Sequence, residues 1–187
     1  MDEMSEFSSL EDQLRECFGR VVYAHKTHEK MADRSSNTLR RFKLTQIVLS
    51  ALTACGAVSI VFVDSLYLKI ATAGISFITL FVSGYMKSFD PGGTAQKHRD
   101  TAASLWPLRE SYLSLLTDLR MQAITHAEAL KQREELQRKL AAVYKGAPQT
   151  DADAYANAKQ ALEVSEEFTF SDAEIDRFMP ASLKKTE

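Results

Sequence analysis

The sequence predicts an all-α fold: a two-span transmembrane helical hairpin with a cytoplasmic helical bundle built from N- and C-terminal helices. Three observations carry this. Two long runs hold no charged residue, "LTQIVLSALTACGAVSIVFV" at 44–63 and "IATAGISFITLFVSGYM" at 70–86. Each approaches the roughly 20 apolar residues a helix needs to cross the hydrocarbon core. There are only 7 glycines and 4 prolines in 187 residues, so helix breakers are few. Outside the two runs, apolar residues recur at spacings of three and four, and no stretch alternates with the period of a strand.

The elements follow in order. Residues 1–41 form an N-terminal amphipathic cytoplasmic helix. It starts at "SSLEDQ", where Ser8 and Glu11 have capping-box spacing. Leu10, Leu14, Cys17, Phe18, Val21 and Val22 share one face. The helix reaches at least Ala32, and "SSNTLRRF" offers a route straight into the first span. Residues 42–88 form the hairpin. The short Asp64–Ser65 connection forces its helices antiparallel, so both ends emerge on one side. The alternative is a soluble bundle with two buried central helices, yet such helices seldom run this long without a charge on any face.

Residues 89–187 form a C-terminal cytoplasmic helical region. "DPGGT" breaks the helix: Pro91 disfavours helix at Asp90, and the glycines permit a sharp turn. A new helix is predicted from near Thr94, with His98, Ala102, Leu105, Leu108, Tyr112, Leu115 and Leu119 on one face and a kink at Pro107. Another runs from about Thr125 to Lys145 and stops at "KGAP". "DADAYANAKQALEVSEEF" reads as a further helix. Ser171 and Glu174 have capping-box spacing before the last one. The glycine pair invites comparison with a phosphate-cradling loop, but no strand precedes it and the lysine and hydroxyl of a P-loop are missing, so a turn explains it.

Charge sets topology and excludes some classes. Lys+Arg 23 against Asp+Glu 25 gives a net charge of -2, which argues against a general nucleic-acid coat. The mean hydropathy of -0.22 averages two very different regions. The two cysteines, Cys17 and Cys55, suggest neither a disulfide framework nor a zinc site. Basic residues flank both spans on the terminal side, while the connection offers only Lys69 beside Asp64. The positive-inside rule therefore places both termini in the cytoplasm.

At this point the layout resembles the SLATT domain family, two-transmembrane effectors of bacterial nucleotide-signalling defence systems. The resemblance rests on the polar helix with "YAHKTHEKMA", the two spans, the exit turn, "AQKHRDTAASLWPLRESYLSLLTDL", and the closing "TFSDAEIDRFMPASL". It covers most of the chain. It implies a pore-forming or membrane-disrupting effector in the bacterial inner membrane, encoded beside a nucleotidyltransferase or another nucleic-acid-handling enzyme. Neither an enzymatic activity of the chain itself nor a cofactor is expected, and an enzyme is the third reading.

Two spans cannot enclose water, so a pore requires a symmetric homo-oligomer, with four copies as the expected number. Gln46, Ser50, Thr53 and Ala57 form a stripe on the first span that Asp64 continues. Thr72, Ser76, Thr79 and Ser83 form an alternative stripe on the second. One stripe facing the pore and the other the neighbouring helix is one reading; close helix packing through both is the other. The first span is the preferred pore lining, since the Gln46 amide is costly toward lipid.

Arg34, Arg40, Arg41, Lys43, Lys87, Lys97, His98 and Arg99 cluster near the cytoplasmic mouth. Topology and surface anchoring account for such charges. Repeated around an axis, they also form an anion-binding rim for a nucleotide or short oligonucleotide. His25, His28 and Glu29 have helical spacing for metal, but nothing else converges on them and interhelical hydrogen bonding is the preferred reading. No nucleophile, base and orienter are spaced for catalysis. The competing function is a membrane-anchored adaptor that docks a cytoplasmic enzyme without conducting ions.

Overall fold

The computed structural model describes residues 3–185, and among these there is no strand. Its helices are α1 (Glu3–Phe62), α2 (Leu66–Phe89), α3 (Pro91–Arg120), α4 (His126–Gly146), α5 (Ala152–Glu163) and α6 (Asp172–Asp176), followed by a 3-10 turn at Ala181–Leu183. They divide into two compact units. One contains the described residues up to Lys30 and those from Thr101 onward; the other is Met31–Asp100.

The first unit is a helical bundle. Leu10, Leu14 and Val21 of α1 pack with Leu105, Leu108, Tyr112, Leu115 and Leu119 of α3 and with Ala129 and Leu136 of α4. The α1 and α3 residues are those of the stripes that the spacing predicts, whereas the α4 pair was not foreseen, and Tyr112, Leu14, Leu105 and Leu115 are among the largest fully buried side chains. α4 opens on a capping box between Thr125 and Glu128. α6 opens on the predicted one between Ser171 and Glu174. α5 starts at Asp151, whose carboxylate accepts from the Ala154 N–H at 2.8 Å.

The second unit is a helical hairpin. α1 and α2 are joined at residues 63–65, where the Ser65 N–H donates to the Val63 carbonyl at 3.0 Å and Lys69 pairs with Asp64 at 2.6 Å. Gln46 meets Ser83 and Gly56 meets Thr72. The residue numbers in the two pairs sum nearly alike, which is the signature of antiparallel helices. Both helices are long and apolar enough to cross a membrane, and none of either apolar window is buried within the chain.

Three local expectations are corrected. Ser8 lies inside α1, which is already helical at Glu3. Phe7 packs against the bundle core and against the His126 ring at 5.2 Å, so tertiary contact carries the helix past its sequence cap. The exit turn is one residue long, and α3 begins at Pro91 rather than near Thr94. Asp90 takes the left-handed conformation (φ 35) and no glycine does. Its carboxylate accepts from the Gly93 N–H at 3.0 Å, so Asp90 caps α3 with Pro91 in the first helical position, where a missing N–H costs nothing. A Cβ at Gly93 would stand 2.2 Å from that carboxylate, which gives this glycine its purpose. Finally, α5 stops at Glu163 instead of running to Phe168. Glu167 is drawn to Lys26 at 2.5 Å and Lys30 at 3.0 Å on α1, and Glu166 takes a positive φ. α3 continues through Pro107 to Arg120.

Candidate functional site

In the hairpin, the polar side chains of the second span have local partners. The hydroxyls of Thr72, Ser76, Thr79 and Ser83 each donate to the carbonyl four residues earlier at 2.8 Å. This hides a donor that lipid would leave unpaired. Thr72 is buried and the other three are half-buried, so this stripe lies along the helix pair. Gln46 Nε2 donates to Ser83 Oγ at 2.9 Å.

The stripe on the first span divides. Gln46 and Thr53 are half-buried, whereas Ser50, Ala57 and Asp64 are exposed. The interhelical positions of α1 are Gln46, Leu49, Thr53 and Gly56, spaced three, four and three. Ser50 and Ala57 sit one position on, upon an outward face.

The open end of the hairpin carries an aromatic group. Phe42 lies 5.5 Å from Tyr85, which stacks on Phe89 at 4.2 Å. With Arg34, Thr38 and Thr94 these rings line a cavity of about 240 Å³.

Of the predicted basic rim, Arg34, Arg40, Arg41, Lys43, Lys87, Lys97 and Arg99 are exposed and His98 is fully buried. Arg99 donates to Ser36 Oγ at 2.6 Å, so the start of α3 lies beside the stretch of α1 that leads into the span. His98 belongs to the buried stripe of α3, with Ala95 one turn before it. Its spacing had placed it both on that stripe and on the rim.

The bundle holds a feature that the sequence reading missed. A cavity of about 650 Å³ is lined by α1 residues from Glu16 to His28, by Tyr144 of α4, by Thr150 and by Tyr155 of α5. Tyr23 stacks on Tyr155 at 5.5 Å with 27° between the rings. Its hydroxyl donates to Glu163 at 2.5 Å, and that bond pushes its pKa up to about 12. Burial raises that of Tyr144. Arg20 pairs with Glu16, which holds its guanidinium charged. The signal in the sequence was three tyrosines on three amphipathic helices, but nothing in their spacing says they meet.

A second cluster fastens the segment after α5. The Phe168 ring lies 4.4 Å from Lys26 Nζ and 4.6 Å from the Arg109 guanidinium, and it stacks on the His25 ring at 5.5 Å. Lys26 also bonds Glu29 at 2.8 Å. Burial holds the His25 imidazole below its ordinary pKa. His25 Nε2 lies 3.6 Å from Glu29, so His25 is placed for packing and polar contact. Among the described residues no group of three potential ligands is placed to hold a metal.

No curated protein matches the chain and no solved structure does. A family model does, over residues 10–174, from the first buried leucine of α1 to the cap of α6. That span takes in the bundle, both apolar helices and the exit turn. The chain therefore belongs to family 4 of the SMODS and SLOG-associating two-transmembrane effector domains.

Proposed function

We propose that this protein is an oligomeric membrane pore that acts as the effector of a bacterial antiphage defence system. A nucleotide or oligonucleotide signal gates it, and opening depolarises the inner membrane and stops growth. The observation that carries this reading is the state of the hairpin surface. Neither apolar window is covered by the rest of the chain, and one exposed face of α1 is narrow and small, with Ser50, Ala54 and Ala57. Closed symmetry is the usual arrangement of homo-oligomers, and several hairpins ringed with this face inward surround water. Four copies is the proposed number.

Both termini are assigned to the cytoplasm from the basic flanks. The exposed rim, chiefly Arg40, Arg41, Lys43 and Lys87, then surrounds the cytoplasmic mouth and attracts an anionic signal in a salt-dependent manner. The test is ion flux from liposomes containing the purified chain, with and without added nucleotides, beside voltage-dye measurements in expressing bacteria. Flux no greater than that of protein-free liposomes under every condition rejects the pore.

One observation favours the adaptor reading. Phe170, Phe178 and Leu183 near the C-terminus are at least 65% exposed, a composition suited to binding a partner. An adaptor of this kind would pull down its enzyme and show no flux.

A further inference from the structure

We propose that the tyrosine-lined cavity of the bundle is a nucleotide-binding site, holding a nucleoside phosphate chiefly by its base. This rests on the signal-gated reading above and supplies the site that reading lacks. At about 650 Å³ the cavity lies within the range of small-molecule sites, roughly 300–1,000 Å³. The cavity at the hairpin end, about 240 Å³, falls below it, and its aromatic rings suit the headgroup level of a bilayer.

The lining matches the ligand part by part. Tyr23, Tyr144 and Tyr155 come from three helices and give flat faces for a base. Aromatic stacking of this kind tolerates any base. Tyr23 is a fixed platform, because Glu163 holds its hydroxyl and Tyr155 backs its ring. Arg20 offers forked donors of the geometry that phosphate oxygens accept, and His28 and Thr150 add polar atoms to the wall. The Arg20–Glu16 pair is exposed on both sides, so a phosphate competes with Glu16 for a guanidinium already facing water.

Gly19 leaves this wall of the cavity without a side chain. It stands inside α1, where glycine disfavours helix relative to alanine. A Cβ there would meet nothing within 4 Å, so no packing contact demands a glycine. It lines the cavity, and any larger side chain would project into it.

The experiment is equilibrium binding of AMP, GMP, CMP and UMP, each with inorganic phosphate as comparison, to the full chain in nanodiscs. At least one nucleotide is expected to bind saturably, at one per chain, and far more tightly than phosphate. Tyr155→Ala should weaken it about tenfold or more, the scale of one lost base stack. Gly19→Leu should abolish it, while Gly19→Ala keeps it and raises the thermal midpoint, showing that the position tolerates substitution. Lys139→Gln on the outer face of α4 should change nothing. Binding of none of the four overturns the proposal. So does binding that survives Gly19→Leu, or that depends on Arg40 and Arg41 instead. Flux separates this from the pore itself: a conducting protein whose nucleotide response survives Gly19→Leu keeps the pore and loses this site.

Discussion

Gly56 faces Thr72 across the hairpin so closely that a Cβ on residue 56 would stand 2.3 Å from the threonine hydroxyl oxygen and 3.0 Å from its methyl group. The approach lies between two residues of small volume, as close membrane packing requires. Gly56→Leu is therefore expected to force the spans apart and to lower stability by about 1–3 kcal/mol, the usual cost of overpacking. Thr72→Ala alone should cost little, since its hydroxyl bonds only its own helix at the Leu68 carbonyl. Combined with Gly56→Ala it should recover most of the loss caused by Gly56→Ala alone. Thermal unfolding in detergent measures this, and a Gly56→Leu protein as stable as the parent rejects the packing account.

Much of this was legible in the sequence, for identifiable reasons. Charge-free length marks a span directly, and the 3.6-residue period sorted the α3 stripe from His98 to Leu119 because those positions share one helix face. What stayed hidden depends on contacts between distant residues. Ser8 looks like a cap but lies inside α1, because Phe7 packs on the core. Glu167 ends α5 through lysines 137 or more positions earlier. The outward set on α1 was only half legible: periodicity groups Gln46 with Ser50, yet one helix step decides that Gln46 meets Ser83 while Ser50 is exposed.

Asp90 gives a second test. It holds a left-handed backbone (φ 35) and at the same time caps α3 through Gly93. Asp90→Ala keeps the unfavourable conformation and loses the cap, so it should cost about 0.5–2 kcal/mol with a further penalty for left-handed alanine. Asp90→Asn should retain most of the stability, because asparagine both caps and tolerates this conformation. If alanine and asparagine behave alike in thermal unfolding, the carboxylate does not cap the helix.

Acidification should destabilise the bundle through His25. Burial holds its folded pKa below the unfolded value, so the unfolded chain takes up a proton that the folded one refuses. The loss is absent above the unfolded pKa, ordinarily near 6.5, and grows as pH falls below it. Glu29 and Glu110 favour the proton and Arg109 and Lys26 oppose it, while Phe168 covers the ring. Glu167, which Lys26 and Lys30 hold below the ordinary carboxylate range, loses its contribution only at lower pH. The thermal midpoint should fall between pH 7 and pH 5, by about 2–4 °C per kcal/mol for a chain of this size, and His25→Gln should flatten that slope. An unchanged slope would place the sensitivity on another group.

The proposed pore has consequences for which side chains face water. Gln46 spends its amide on Ser83 at 2.9 Å, and the second-span hydroxyls are each bonded within their own helix. The interhelical seam is thus polar but closed. Ser50 and Ala57 lie two helical turns apart on the exposed face of α1, and in the proposed oligomer that face borders the water of the pore. In a background with Cys17→Ala and Cys55→Ser, a cysteine at 50 or 57 should react with a water-soluble charged thiol reagent in open channels and change the current. Gln46→Cys should react slowly and change it little. Losing the Gln46 bond should itself cost about 0.6 kcal/mol, the average for hydrogen bonds between membrane helices, too little to unfold the hairpin and confuse the measurement. Fast reaction at 46 with protection at 50 and 57 would mean that the pore is lined by the seam, and that the hairpin opens along Gln46–Ser83 when the channel conducts.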